Sequence, residues 1–350
     1  MEDYYSFDNV RYNESKNTIK IWPFLDDMSS VIFPYSNRYL SDDANLAVNL
    51  DFYNVRKVNS SCAAITLKKL VSLVTQNRAK RPFKLIMPED KFIEKRMQDM
   101  GFFSILDSYC CFNNSYIGDL FEENQPVIIQ KETKLCVDED FNLKKTSFPI
   151  FVLEYNPNDI REAVDRFEKW LDSNLLKRLD ENYHVKTDVL FSVLTEIAKN
   201  SQDHTENNAF FGFDLIENKT RGDGEFLFSC SDLGGGIAQT VRGYLKTNPQ
   251  EYLRSDVWRH GSLTDFYKWA FTLGNSTSSK SNNKGIGMTM IIDGAYELNM
   301  DLFFFDARSM MQIPNTLFFQ ENALNHEELR RKAWNTENKV GFYYYGRLKL

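Results

Sequence analysis

Short apolar segments alternate with amphipathic ones in the first third of the sequence. Residues 46–52 read as a buried strand, and apolar residues recur at helical spacing from Cys62 to Val74. A second apolar strand over 83–87 precedes a second amphipathic stretch from Asp90 to about Leu106. Because each amphipathic helix must bury its apolar stripe against a sheet, this β-α-β-α order predicts a layered α/β fold.

Length and composition indicate two domains. The chain has 350 residues, of which 42% are hydrophobic and 14% aromatic, and this is enough for two ordinary cores. We expect an N-terminal α/β domain with a connector over 1–149 and a second domain over 150–350.

The charge and the cysteine content limit the partners that we expect the chain to bind and the cellular compartment in which we expect it. The 42 basic and 49 acidic side chains give a net charge of -7, so no broad basic surface for nucleic acid is expected. The five cysteines lack the C-x-x-C spacing of zinc or redox sites. The acidic start does not resemble a signal peptide, and no apolar run approaches the ~18 residues that span a bilayer. We therefore expect a cytoplasmic protein without membrane contacts.

The second half alternates helices and strands. Apolar spacing predicts helices over 160–179, 187–204 and from Gly285 to about Leu298. Strands are expected over 209–216 and 225–231, and near 302–305, 316–319 and 340–345.

Three polar side chains share one ridge of the helix over 187–204. Glu196, Asn200 and Asp203 stand at i, i+4 and i+7, which places them within one arc beside the apolar stripe. Their hard oxygens are of the kind that Mg²⁺ binds, and a carboxylate there could act as a base. A solvated helix face would show the same pattern.

A glycine-rich turn follows the strand over 225–231. Asp232 at the strand end can accept a hydrogen bond from an exocyclic amine, and Gly234 and Gly236 allow the backbone to approach a flat ring. A plain turn would use the same residues.

A second glycine pair stands where a polar loop enters an apolar helix. The amides around Gly285 and Gly287 can face phosphate oxygens at the positive end of the helix, and Lys284 could add charge. An ordinary helix entry after a loop is the alternative.

The order of these motifs, over about Phe151 to Leu350, resembles the GHKL superfamily. This superfamily includes DNA gyrase B subunits, the ninety-kilodalton heat-shock chaperones, histidine kinases and the anti-sigma-factor kinases. The resemblance implies a Bergerat fold, with helices on one face of a mixed sheet in an α+β sandwich. It also implies that ATP and Mg²⁺ are bound, with Asn200 on the metal, Asp232 on the adenine amine and Glu196 as the catalytic base.

The same resemblance assigns the remaining nucleotide contacts, and it implies a lid over about 237–284. Thr316 looks like the family's adenine-supporting strand, although Asn315 stands where glycine is usual. The full set of expected nucleotide-binding residues is Asn200, Asp203, Asp232, Gly234, Gly236, Ile237, Asn275, Ser276, Thr277, Lys284, Gly285, Ile286, Gly287, Met288 and Thr316.

The N-terminal half looks like a STAS domain, the fold of anti-anti-sigma factors. In that family a serine at the start of the first helix can be phosphorylated, and Asn59, Ser60 and Ser61 stand at that place. Serine is also an ordinary helix cap, so both interpretations stay open.

Three functions remain open at this point. The first is an ATP-hydrolysing switch whose shape is read by a protein partner or a second copy, for example in bacterial signalling or antiviral defence. The second is an anti-sigma-type Ser/Thr kinase that acts on a STAS domain. The third is a non-catalytic ATP sensor whose output is assembly.

Overall fold

The computed structural model describes helices and strands over most of the sequence. The described residues are 5–7, 10–13, 18–21, 23–26, 48–76, 83–110, 136–140, 143–155, 160–183, 185–205, 207–232, 234, 236–248, 250, 266, 269–272, 287–306, 309–313, 320–321 and 343–350. Helices combine with parallel and antiparallel strands, which confirms the α/β fold class.

The described residues group into two compact units. The first holds the chain up to Phe151 together with Phe210–Lys219, and the second holds the rest. The sequence put a domain boundary near residue 149 and gave residues 210–219 to the second domain. Periodicity identifies a strand but does not say which neighbouring strand it pairs with, so this grouping had no signal in the sequence.

A five-stranded sheet forms one part of the first unit. Its order is β1-β2-β3-β5-β7, with antiparallel pairs from β1 to β3 and parallel pairs from β3 to β7. A short parallel pair, β4 with β6, lies outside this sheet. The bounds are β1 Tyr5–Phe7, β2 Val10–Asn13, β3 Thr18–Ile21, β4 Phe24–Leu25, β5 Val48–Asp51, β6 Lys57–Val58 and β7 Phe83–Ile86.

Three helices of the first unit follow the amphipathic stretches of the sequence. They are α1 Ser60–Gln76, α2 Lys91–Asp99 and α3 Phe102–Cys110. The stretch 90–106 was predicted as one helix and is two, because Gly101 between them has a φ of 76° that continues no right-handed helix.

An antiparallel ladder completes the first unit. β8 Cys136–Asp140 pairs with β9 Leu143–Ser147, which pairs in turn with β11 Ala209–Asn218. The short β10 Phe151–Leu153 follows, and its residues after Phe151 belong to the second unit. Phe148, Phe211 and Phe213 are fully buried along this ladder.

The helices of the second unit include one that the sequence did not predict. α4 Ile160–Leu171 runs through one π-helical turn, Asp172–Leu176, into α5 Lys177–Tyr183, and α6 spans Thr187–Thr205. α7 Ile237–Thr247 occupies the start of the stretch 237–284 that was expected to form a lid. Val241 and Leu245 are buried one turn apart, which is the amphipathic spacing that the sequence reading missed. α8 spans Gly287–Glu297.

Large apolar side chains of the second unit's sheet lie on one of its two faces. The order is β15-β14-β13-β16-β12, and each pair in this series is antiparallel. Phe228, Phe304 and Leu348 share one face and are buried. The bounds are β12 Gly224–Asp232, β13 Asp301–Asp306, β14 Ser309–Ile313, β15 Gln320–Glu321 and β16 Tyr343–Lys349.

In the described ranges, every helix is too short or too polar to cross a lipid bilayer.

Candidate functional site

The predicted polar ridge lies on α6, at the edge of the stripe that α6 buries. Val193, Leu194 and Ile197 are fully buried, whereas Glu196 and Asn200 are half-buried beside them. Asp203, one turn further on, is half-buried too. The Lys199 ammonium pairs with Glu196 Oε1 at 2.8 Å. The helix therefore holds its polar ridge where a second element can meet it.

That second element is α8, which packs antiparallel on α6. A Cβ added at Gly287 would lie 2.8 Å from Glu196 Oε2 and 3.6 Å from Asn200 Oδ1. Gly294 lies two turns after Gly287 on α8. A Cβ at Gly294 would overlap the side chain of Val193, which lies two turns before Asn200 on α6. The two glycines thus let the helix axes approach, and the start of α8 comes directly beside the polar ridge.

The Tyr344 side chain of β16 contacts the polar ridge from the side of the sheet. Asn200 Nδ2 lies 3.4 Å from Met288 Sδ, and the Tyr344 hydroxyl lies 3.7 Å from the same sulfur. Tyr344 also shares a hydrogen bond with Asn200. Asn200 is therefore positioned by contacts from both α8 and the sheet.

Asp232 ends β12 on the face that carries Tyr344. The Gly234 N–H donates to Asp232 Oδ1 at 2.8 Å, and Asp232 is 3% exposed. Gly236 has a φ of 81° and is the N-cap of α7, so this position needs glycine. Ile237 begins α7 and is half-buried. The aspartate-glycine turn is thus a tight connection between β12 and α7.

A buried polar cluster surrounds Asp232 and Tyr344. Burial raises the pKa of the Cys230 thiol well above its ordinary value, and the Asp232 charge adds to this. Burial also raises the pKa of the Tyr344 hydroxyl, with Cys230 and Asp232 adding to it and the hydrogen bond with Asn200 opposing it. The site thus keeps both groups protonated near neutral pH in a region of low polarity.

Some site residues lacked a recognisable signal in the sequence. Tyr344 stands in a run of tyrosines, and only the strand pairing shows which one faces Asn200. Thr205 lies within 3 Å of the Cβ position at Gly234, which brings the end of α6 against the glycine turn. The predicted contacts at Asn275, Ser276, Thr277, Lys284, Gly285, Ile286 and Thr316 lie outside the described residues.

The serines at the start of α1, in the first unit, are both buried. Ser60 and Ser61 are inaccessible to solvent, and the Ser61 hydroxyl donates to Asp214 Oδ2 at 2.6 Å. Asn59 Oδ1 accepts the Cys62 N–H, so asparagine, and not serine, caps the helix. The Asp214 carboxylate of β11 also accepts the N–H groups of Ser60 and Ser61, each at 2.8 Å.

The ridge on α6 offers few ligands for a metal ion on its own. Among the described residues, no three His, Cys, Asp or Glu side chains stand close enough to hold one. Beside Gly287 at the start of α8, Asn200 contributes one amide oxygen and Glu196 one carboxylate. Such a set suits Mg²⁺ that takes its other ligands from phosphate and water.

No protein-family model matches the chain, and comparisons with curated proteins and with solved structures found no similar protein.

Proposed function

We propose that the second unit binds Mg-ATP and acts as a nucleotide-dependent conformational switch for a protein partner. One observation supports this most: the first turn of α8 meets Glu196 and Asn200, although Asn200 and Met288 are 88 positions apart in the sequence. N–H groups at the start of a helix suit phosphate oxygens, and an amide oxygen beside them suits the Mg²⁺ that accompanies a triphosphate.

Each side chain has one role in the proposal. The backbone amides at the start of α8 donate to phosphate oxygens, helped by the positive end of the helix. Asp232 accepts a hydrogen bond from the adenine amine. Glu196 orients a water molecule and accepts its proton at a carboxylate oxygen. Tyr344 and Met288 hold the Asn200 side chain in place.

The cation fits the residues that are present. Asn200 Oδ1 is the protein's own ligand for Mg²⁺, and its amide is already oriented by Met288 and Tyr344. Mg²⁺ neutralises phosphate charge and normally keeps several water ligands, so one protein oxygen is sufficient.

Nucleotide binding is tested by titration calorimetry of the full chain with Mg-ATP and Mg-ADP. Asn200→Ala should weaken binding about tenfold or more, because it removes the protein's oxygen ligand to the metal. Asn174→Ala is the matched control, since Asn174 on the π-helical turn hydrogen-bonds its own helix through Trp170 O. No saturation by either nucleotide at millimolar concentration would remove the proposal.

Turnover is tested separately by release of phosphate. Glu196→Gln keeps the size of the side chain and removes the proton acceptor, so hydrolysis should fall about 10²-fold or more while Mg-ATP affinity is retained. Lys199→Ala removes only the ion pair to Glu196 and should keep most of the turnover. Equal turnover in Glu196→Gln and the unmodified chain would exclude Glu196 as the base.

The same assay distinguishes the switch from a kinase. Radiolabelled γ-phosphate that appears in solution and not on protein supports hydrolysis. Label on the protein would favour the anti-sigma-type kinase instead. A change in mass on a sizing column with Mg-ATP would support self-association as the output.

A further inference from the structure

The sulfur atom of Met288 accepts hydrogen bonds from two side chains of the candidate site. Asn200 Nδ2 donates to Met288 Sδ at 3.4 Å, and the Tyr344 hydroxyl donates to the same sulfur at 3.7 Å. A thioether sulfur is a weak acceptor and has a lone pair for each of these two donors. The donors therefore cover the positions on the sulfur through which it reacts.

Met288 is also more exposed than the methionines of the core. Met97, Met100 and Met300 are buried and so are shielded from dissolved oxidants. Met288 is half-buried at the start of α8, and Met290 on the same helix is 41% exposed. Met288 thus combines partial exposure with contacts to the site, and Met290 serves as a reference for exposure alone.

We propose that Met288 is a site of reversible oxidation that switches off Mg-nucleotide binding, an inference that rests on the nucleotide site proposed above. The oxidant is a peroxide. A sulfur lone pair attacks one oxygen of hydrogen peroxide, the O–O bond breaks, and the hydroxide that leaves takes up the remaining proton as water. The thioether is oxidised to a sulfoxide, and the peroxide is reduced. Two thiols, oxidised to a disulfide, return the sulfoxide to the thioether and release water.

The added oxygen would displace a side chain of the site. It is bonded to sulfur in a lone-pair direction, where Asn200 Nδ2 or the Tyr344 hydroxyl now lies. Because these donors are only 3.4 and 3.7 Å from the sulfur itself, an oxygen between them and the sulfur would be closer than a hydrogen bond allows. Tyr344 also shares a hydrogen bond with Asn200, so movement of either side chain alters the position of the Asn200 amide. Asn200 Oδ1 then leaves its place beside Gly287.

The first test needs no nucleotide. Hydrogen peroxide is added to the full chain, and mass spectrometry of peptide fragments gives the rates of oxidation at Met288 and Met290. Asn200→Ala should raise the rate at Met288 severalfold, because it uncovers one lone pair, and should leave the rate at Met290 unchanged. An equal rise at both methionines would mean that α8 has become exposed as a whole. No rise at either would mean that Asn200 does not cover the sulfur, and each of these results would overturn the proposal.

The second test measures Mg-ATP affinity before and after peroxide treatment by titration calorimetry. Oxidation of Met288 should weaken binding about tenfold or more, because it displaces the protein's oxygen ligand to Mg²⁺. Methionine sulfoxide reductase with a thiol should restore the affinity. Met288→Leu has no sulfur to oxidise, so its affinity should be the same before and after treatment. Met290→Leu is the matched control and should lose affinity as the unmodified chain does.

The outcomes separate this inference from the proposed function. An untreated, unmodified chain that does not bind Mg-ATP would remove the proposed function and the switch with it. A chain that binds Mg-ATP equally well before and after complete oxidation of Met288 would overturn the switch alone. Loss of affinity in treated Met288→Leu, as large as in the unmodified chain, would also overturn it, because the sensitive residue would then be a different one.

Discussion

Two glycines with very different surroundings show how much a single Cβ can matter in this chain. Gly212 on β11 passes so close to the start of α1 that a Cβ there would overlap the Ser60 carbonyl group. Gly243 on α7 is exposed and has no atom within reach of an added Cβ. Backbone atoms cannot rotate away as a long side chain can, so the two positions should respond in opposite directions.

Gly212→Ala should lower the free energy of unfolding by about 3 kcal/mol or more, because α1 and β11 must separate to admit the methyl group. Gly243→Ala should raise it by about 0.5 to 1 kcal/mol, since alanine is the better helix former. Urea denaturation of both variants measures the difference. A mild effect of Gly212→Ala would mean that α1 and β11 are not in contact as described.

The buried cluster of Cys230, Asp232 and Tyr344 should make the free energy of unfolding depend on pH in the alkaline range. Burial holds the pKa of the Cys230 thiol above its value in the unfolded chain, so the unfolded state loses this proton first as pH rises. The contribution is complete below about pH 8.5 and is lost as pH climbs through the raised pKa.

As the pH rises above about 8.5, the chain should therefore lose more stability than its Cys230→Ala variant. The comparison of the two slopes cancels the lysines and tyrosines that both proteins share, except Tyr344, whose pKa Cys230 helps to raise. Denaturant titrations at several pH values give the slopes, and parallel slopes would show that Cys230 titrates as it does in the unfolded chain.

At the scale of elements, the packing of α6 on α8 includes one closely fitted pair, Val193 and Gly294. The Val193 side chain occupies the space that a Cβ at Gly294 would need, and both residues are buried. Gly294→Ala should cost about 1 to 2 kcal/mol, because the strain of overpacking exceeds the gain in helix propensity.

The same substitution should be neutral or stabilising in a Val193→Ala background, since the smaller side chain leaves room for the added methyl group. A double-mutant cycle measured by denaturant unfolding gives the coupling, expected at about 1 to 2 kcal/mol. An identical penalty in both backgrounds would mean that the helices do not meet at these residues.

Helices and strands with a strong apolar periodicity could be predicted from the sequence. Short strands that are recognised only by their pairing with other strands could not. The helix over 187–204 and the strands over 209–216 and 225–231 were predicted nearly to their ends. The short strands before residue 22 were missed, because three or four residues cannot show a period.

The residues of the candidate site show the same difference between those placed by helix periodicity and those placed by contacts with distant residues. Glu196 and Asn200 were predicted because they share one helix, where residue spacing fixes direction. Tyr344 and Thr205 were not, because each reaches the site through a contact with a residue distant in sequence. Residue spacing contains no information about such contacts.

At the scale of the molecule, the first unit is discontinuous in sequence. Its ladder and its first helix both need β11, whose residues 210–218 follow a long segment of the second unit. β11 supplies the register partners of β9 and the Asp214 carboxylate that holds the start of α1. A chain cut after Phe151 would keep most of the unit's residues but lose both of these supports.

A fragment over 1–151 should therefore fail to unfold cooperatively, because β9 would have an open edge and the first amides of α1 would lose their acceptor. Near-ultraviolet circular dichroism and binding of a hydrophobic dye should resemble a molten state. The matched control joins residue 151 to residue 209 through a turn of about four residues and continues through β11 to residue 219. Ser147 at the end of β9 pairs antiparallel with Asp214, and the Phe148 N–H donates to Phe213 O, so the chain after β9 runs towards the start of β11 and a short turn can connect residues 151 and 209. This fusion should recover a fixed near-ultraviolet spectrum and a single urea transition. Cooperative unfolding of the shorter fragment alone, with the same midpoint as the fusion, would mean that the unit folds without β11.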